Sequence, residues 1–192
     1  AEFTARRTRQ YPVEFGFTST FVEVVDEPEA TGMARRLLRS IGHHGPPNTE
    51  FKRNPRDGSL LLLDVNPRPW SWFGLAAAAG VDLGAMMWEV AHGRPVPDVA
   101  ARQGTAWMYL ARDLAAAAGV GAEGLRATGG YARSFASVEA WATFAGDDPL
   151  PGLIDIPLTA WRVLTRRSLR EKICKGAARD MPFKQTLKYA AI

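Results

Sequence analysis

The chain is short of the residues that cross-link, anchor or attack. Its 192 residues include one cysteine, Cys174, so no intramolecular disulfide can form. That fits a reducing compartment, and a cytoplasmic location is the expectation. The three histidines, His43, His44 and His92, lie far from Cys174 in sequence, so a thiol nucleophile lacks the neighbouring base it needs, and Cys174 reads as inert. Adjacent histidines rarely share one metal ion, and His43 and His44 read as loop residues. No apolar run approaches the ~20 residues that cross a bilayer. The alanine-rich stretches at 75–79 and 114–118 are short, and each ends at a glycine. No signal-peptide pattern opens the chain, and Ala1-Glu2-Phe3 reads as the interior of a longer protein. Gly119-Val120-Gly121 and Gly129-Gly130 lack a strand–loop–helix setting and make poor phosphate loops.

What is present is an ordinary globular composition. Hydrophobic residues make up 46% of the chain, enough for a sizeable core in one domain or one and a half. The net charge of +4 is uneven: residues 160–192 hold nine Lys/Arg and two acids, a balance of +7, so residues 1–159 carry about −3. The basic character therefore belongs to the tail. No internal repeat or low-complexity segment is visible.

The densest chemistry lies between Thr49 and Arg68. Leu60-Leu61-Leu62-Leu63 is a continuous apolar run followed by β-branched Val65, the pattern of a strand buried on both faces. Asn54-Pro55-Arg56-Asp57-Gly58 supplies turn residues before it. A three-residue loop, Arg56-Asp57-Gly58 with Gly58 left-handed, closes a hairpin that sets Asn54 opposite Leu60, Lys52 opposite Leu62 and Glu50 opposite Asp64. Side chains alternate along a strand, so Glu50, Lys52, Leu62, Asp64 and Asn66 are expected on one face. Two opposed carboxylates repel unless a cation sits between them. Mg²⁺ takes about six oxygens and usually only one or two protein carboxylates, leaving room for phosphates and water. Arg68 adds a guanidinium suited to bidentate phosphate binding. The bland alternative is a hairpin with solvated acids at its open end. Asp-x-Asn-x-Arg after a long apolar strand, with a glutamate at hairpin spacing upstream, favours a magnesium-nucleotide site.

This segment resembles the carboxy-terminal lobe of the ATP-grasp superfamily, nearest to the carboxylate–amine ligase branch of carbamoyl phosphate synthetase and D-aspartate ligase. The resemblance spans about residues 6–97 and rests on Arg9-Gln10-Tyr11-Pro12, Gly16, the helix over 28–41, Glu50-Phe51-Lys52, Arg56-Asp57-Gly58, Asp64-Val65-Asn66-Pro67-Arg68 and Ala79-Gly80-Val81-Asp82. It implies an α+β lobe, a mostly antiparallel sheet flanked by helices, with a helical C-terminal extension. It implies that Glu50, Asp64 and Asn66 are metal ligands and that Arg68 is the catalytic residue steadying the transferred phosphoryl group. Asp64 stands where a glutamate is more usual, which brings a metal closer to the backbone. Lys52 and Arg9 are the cofactor- or substrate-contacting candidates. Lys52 either reaches phosphate or pairs with Glu50; Arg9 either meets the acidic substrate or is a solvated member of the run Arg6-Arg7-Thr8-Arg9.

The implied activity is ATP- and Mg²⁺-dependent (or Mn²⁺-dependent) joining of a small-molecule carboxylic acid to an amine through an acyl phosphate. A preceding lobe with a glycine-rich phosphate loop and an adenine-binding segment is expected as a partner and is not found in these residues, so the isolated chain is expected to be inactive or weak. A homodimer is compatible with the pattern; nucleic acid or membrane partners are disfavoured. The rival reading is a non-catalytic anion-binding module that uses the basic tail.

Periodicity predicts an extended segment at 4–12, a strand at 18–25, short helices at 75–79 and 83–91 with Asp82 as N-cap, a strand at 105–110 and an alanine-rich helix after it. It predicts a helix at 137–144, a turn at Asp147-Asp148 and a basic helix over 158–173. Trp70, Trp72 and Phe73 read as core packing, with a pocket-lining role as the alternative. The resulting organisation is a lobe at 1–97, its continuation at 98–159, and a basic helical tail at 160–192.

Overall fold

A computed structural model describes residues 1–13, 18–127, 130–173 and 188–191, with side chains described except at 120–127, 166–173 and 188–191. Gly16, Gly129, Cys174 and the tail residues Lys175, Arg179, Phe183 and Lys184 lie outside the described residues. The chain opens with two antiparallel strands, β1 (Thr4–Tyr11) and β2 (Thr18–Val25), and then helix α1 (Pro28–Ser40). Pro28 starts α1, where its missing N–H costs nothing, Glu29 complements the helix dipole, and Gly42 follows in the left-handed region at φ 61°. The hairpin β3 (Asn48–Arg53) and β4 (Leu60–Asn66) comes next, then short helices α2 (Gly74–Ala78) and α3 (Leu83–Ala91). Asp82 caps α3, accepting the Ala85 N–H at 2.9 Å. Strand β5 (Ala106–Met108), helices α4 (Leu110–Ala127) and α5 (Tyr131–Ser134), strand β6 (Val138–Trp141), helix α6 (Leu150–Ile173) and strand β7 (Lys188–Ala191) complete the order.

The strands form one sheet in the order β4-β3-β7-β1-β2-β5-β6. Every pairing is antiparallel except β5 with β6. Alternation along β2 sorts the core into two layers. Val22 and Val24, with Ala5, Phe3 and Trp107, meet Trp70, Trp72, Leu75 and Val81 on one face. Phe21, with Ala106 and Met108, lies on the other face, packed by Leu110 and Phe135. On that second face α1 also covers the hairpin: Ala30 and Ala34 are small enough to let the helix lie on Phe51 and Leu60. Burying a Phe or Leu side chain contributes about 1.5–3 kcal/mol, so these few residues hold the hairpin to the lobe. Trp70 packs edge-on against Trp72 (5.1 Å between ring centroids) and Phe73 (5.2 Å), and both tryptophans are buried, so the aromatic cluster is core.

Four expectations change. The leucine run is not buried on both faces: β4 is the edge of the sheet, Leu60 is buried, and Leu61, Leu62 and Leu63 are exposed at 45–52%. An apolar run reports hydrophobicity, not the number of neighbours a strand has. Residues 138–141 are a strand and not a helix, because Val138 and Trp141 pair with β5 and cover Phe21 and Met108; tertiary packing overrides a weak local preference. Helix α6 begins at Leu150, eight residues before the expected start, and runs through Pro157. The tail is not all helical either: Lys188–Ala191 is a strand that fills the slot between β1 and β3 and pairs with both.

Candidate functional site

The hairpin turn is one residue longer than the spacing suggests. The Asn54 N–H donates to the Ser59 carbonyl at 2.8 Å and the Gly58 N–H to the Asn54 carbonyl at 2.9 Å, leaving Pro55 to Gly58 as a four-residue loop. Gly58 does take the left-handed conformation, at φ 75°. The longer loop sets Arg53 opposite Leu60, Lys52 opposite Leu61 and Phe51 opposite Leu62. A bulge at Leu63 then restores the expected register, with Glu50 opposite Asp64, Thr49 opposite Val65 and Asn48 opposite Asn66. Leu61, not Leu62, therefore shares a face with Lys52. The carboxylate pairing survives because loop and bulge each shift the register by one residue in opposite senses.

Around that pair the polar side chains are oxygen-rich. Asn66 Nδ2 donates to Asp64 Oδ2 at 2.9 Å, and the Val65 N–H donates to Asp64 Oδ1 at 2.9 Å. Across the hairpin Asn48 Nδ2 lies 3.4 Å from Glu50 Oε1. Asn48 is buried, and its Oδ1 accepts no hydrogen bond among the described residues. A buried amide oxygen without a donor is costly unless something positive approaches it. Glu50, Asp64, Asn66 and Asn48 thus form a hard-oxygen set at one end of the hairpin, which suits Mg²⁺ chemically. Among the described residues no three His, Cys, Asp or Glu side chains come together, so further oxygens for a metal must come from amides, phosphate or water. Arg68 is exposed two residues beyond Asn66, with Nη1 at 3.2 Å from the Pro69 carbonyl. Lys52 lies on the Glu50 face of β3, half-buried.

The structure brings Arg7 to this face and takes Arg9 away from it. Through β7, Glu50 aligns with Ala190 and Ala5, and Lys52 with Lys188 and Arg7, so Arg7 shares the face of the carboxylates. Burial pushes the Arg7 guanidinium below its ordinary value, and the Glu50 charge opposes that shift. Between Arg7 and Arg9 the β1 ladder slips by one residue, with Arg7 opposite Val22 and Arg9 opposite Phe21. That irregularity turns Arg9 over. Its Nε donates to Asp113 Oδ1 at 2.9 Å, its Nη1 donates to Ser134 Oγ at 2.8 Å, and its guanidinium stacks 4.1 Å from the Phe21 ring centroid. Arg9 is therefore neither a solvated residue nor a neighbour of the hairpin carboxylates.

Two residues of this region escape the sequence reading. Asn48 had a signal, since it lies two residues before Glu50 and opposite Asn66 in the same register. Arg7 had none, because its proximity depends on a strand contributed from the far end of the chain.

The family described as ATP-grasp in the biosynthetic pathway with Ter operon matches residues 4–112, more than half of the chain. Comparison with curated proteins gave no match, and comparison with solved structures gave none.

Proposed function

The chain belongs to the ATP-grasp family, whose function is ATP-dependent and ligase-type, and from that premise we propose that its β3–β4 hairpin holds the magnesium-bound phosphates of ATP for carboxylate–amine ligation. The observation that carries this reading is the opposition of Glu50 and Asp64 across the bulged ladder, flanked by the amides of Asn48 and Asn66. Bound Mg²⁺ would neutralise phosphate oxygens and lower the cost of in-line phosphoryl transfer. Glu50, Asp64 and Asn66 would hold it, with the Asn48 amide, whose nitrogen lies 3.4 Å from Glu50 Oε1, beside the same cluster.

The chemistry then needs positioning and charge more than covalent participation by the protein. A substrate carboxylate oxygen attacks the γ-phosphorus and ADP leaves. The amine nitrogen attacks the activated acyl carbon, phosphate leaves with the bonding electrons, and the amine proton passes to solvent or phosphate. Arg68, exposed at the strand exit, is suited to bracket the moving phosphoryl oxygens. Arg7 offers a second, half-buried positive charge on the same face. Lys52 is placed to reach phosphate from beside Glu50.

The test is calorimetric titration of ATP with and without Mg²⁺ into the chain and into its Asp64→Ala/Asn66→Ala variant. Mg²⁺-dependent binding weakened at least about tenfold in the variant, or about 1.4 kcal/mol, is the expected result. ATP binding of equal strength in a folded variant would remove the site from the hairpin.

A further inference from the structure

Strand β4 leaves the outer side of its backbone open. It ends the sheet, and none of the described strands lies beyond it. Natural sheets guard such an edge with charge, proline or a bulge, because unpaired N–H and C=O groups invite another strand. The β4 edge carries four leucines in a row, of which Leu61, Leu62 and Leu63 are exposed. Its guard is the bulge at Leu63, which limits the regular edge to residues 60–62. The ladder fixes which backbone groups face outward. The Asn54 N–H donates to the Ser59 carbonyl, so this pair is hydrogen-bonded across the hairpin. Hydrogen-bonded and open pairs alternate along an antiparallel ladder. Lys52 and Leu61 are then bonded to each other, while Leu60 and Leu62, opposite Arg53 and Phe51, turn their N–H and C=O groups to the open side.

We infer that β4 pairs with the β4 of a second copy, antiparallel and centred on Leu61. A two-fold axis at Leu61 sets Leu60 opposite the partner's Leu62, and Leu62 opposite the partner's Leu60. Those are the residues with outward backbone groups, so each pair can exchange its hydrogen bonds. Leu61 then meets its own copy in the closer, non-bonded position between them. Moving the axis to Leu62 would run the new ladder into the bulge and set Leu60 against the partner's Asp64. The open backbone selects a strand as the occupant, and a second copy brings that strand already formed. A free peptide must first lose backbone freedom. Charge agrees with this choice. In this register the 55–58 loop of one copy lies beside Asp64 and Asn66 of the other. Arg56 on that loop is exposed, with no side-chain partner among the described residues, and Asp64 is an exposed carboxylate. The two-fold axis makes this Arg56–Asp64 pairing twice. It also closes the assembly, because each copy uses up its open edge on the other. So short a contact gives a weak, reversible dimer, and the β4 edge stays open in dilute solution. This inference does not depend on the nucleotide site.

The test is sedimentation equilibrium of the 192-residue chain from dilute to millimolar concentration. A monomer–dimer equilibrium is expected. Leu61→Lys and Leu61→Glu each set like charges against each other on the axis, and each should weaken the dimer at least about tenfold. Mixed in equal amounts, the two variants should associate again, because lysine then faces glutamate. Arg56→Glu should weaken the dimer, and Arg56→Glu/Asp64→Lys should restore it. Circular dichroism verifies that the variants, all at exposed positions, stay folded. A chain that remains monomeric throughout overturns the proposal. So does a mixture of the two Leu61 variants that fails to associate, since residue 61 would then not face its own copy. The rival surface is the outward apolar stripe of α6, where Leu153, Ile154, Leu158 and Trp161 are 40–67% exposed. A dimer that Leu153→Glu/Trp161→Glu dissolves and Leu61→Lys leaves intact would move the contact there and overturn the proposal.

Discussion

Arg7 and Arg9 stand two residues apart on one strand, yet serve different layers of the molecule. A slip of one residue in the ladder between them sends Arg7 to the Glu50 face and Arg9 onto buried Asp113. Removing one member of a buried ion pair leaves the other charge desolvated, at about 3–5 kcal/mol. Arg9→Met is therefore expected to lower the urea midpoint strongly, while Mg²⁺-dependent ATP affinity of the folded fraction changes less than about twofold. A selective loss of ATP affinity at unchanged stability would instead return Arg9 to the substrate site. The half-buried Tyr131 ring lies 4.8 Å from the Arg9 guanidinium beside the same pair: partial burial, reinforced by the Asp113 carboxylate, pushes its phenol well above the ordinary value of ~10. A raised folded-state value means the native state keeps a proton that the unfolded chain has released. The contribution to stability is whole below about pH 10 and is lost as pH rises toward the folded value. Tyr131→Phe is expected to lose less stability than the parent between pH 9 and pH 11, read from urea midpoints at each pH.

The β3–β4 hairpin shows how an element can be identified correctly and placed wrongly. Its turn residues, its strands and its carboxylate pair are all legible locally, because hairpin register depends on a few neighbouring residues. The depth of β4 is not legible, since burial depends on which strands and helices arrive beside it. Leu60 lies under α1, whereas Leu62 is exposed at the sheet edge. Leu60→Ala is expected to cost about 2–4 kcal/mol in urea unfolding, and Leu62→Lys less than about 1 kcal/mol. The lysine should also reduce aggregation, because charge on an exposed edge discourages strand addition. Equal costs at the two positions would mean that the outer edge of β4 is covered in solution.

At the scale of the whole molecule, β7 ties the nucleotide-site candidate to the rest of the sheet. It pairs with β3 on one side and β1 on the other, through four residues each way. A chain ending at Ile173 lacks that strand and leaves two open edges. At about 0.5–1.5 kcal/mol per hydrogen bond, the loss amounts to several kcal/mol and a fall in Tm on the order of 10 °C. It should also weaken Mg²⁺-dependent ATP binding, because Arg7 is aligned with the hairpin only through β7. A truncated chain that melts and binds ATP like the parent would mean that β1 and β3 are held together without it.

Local chemistry in the sequence was enough to specify the hairpin, its left-handed Gly58, the opposed Glu50 and Asp64 and the Asp82 cap, while the α+β character of the lobe followed from the family resemblance. The hairpin and the cap follow from turn conformations, alternation and capping, which act over a few residues. The tertiary structure alone decided the edge position of β4, the flip between Arg7 and Arg9, the strand at 138–141 and the outward turn of the α6 stripe. Each depends on groups far apart in sequence, and a one-residue irregularity in a ladder reverses which face a side chain takes.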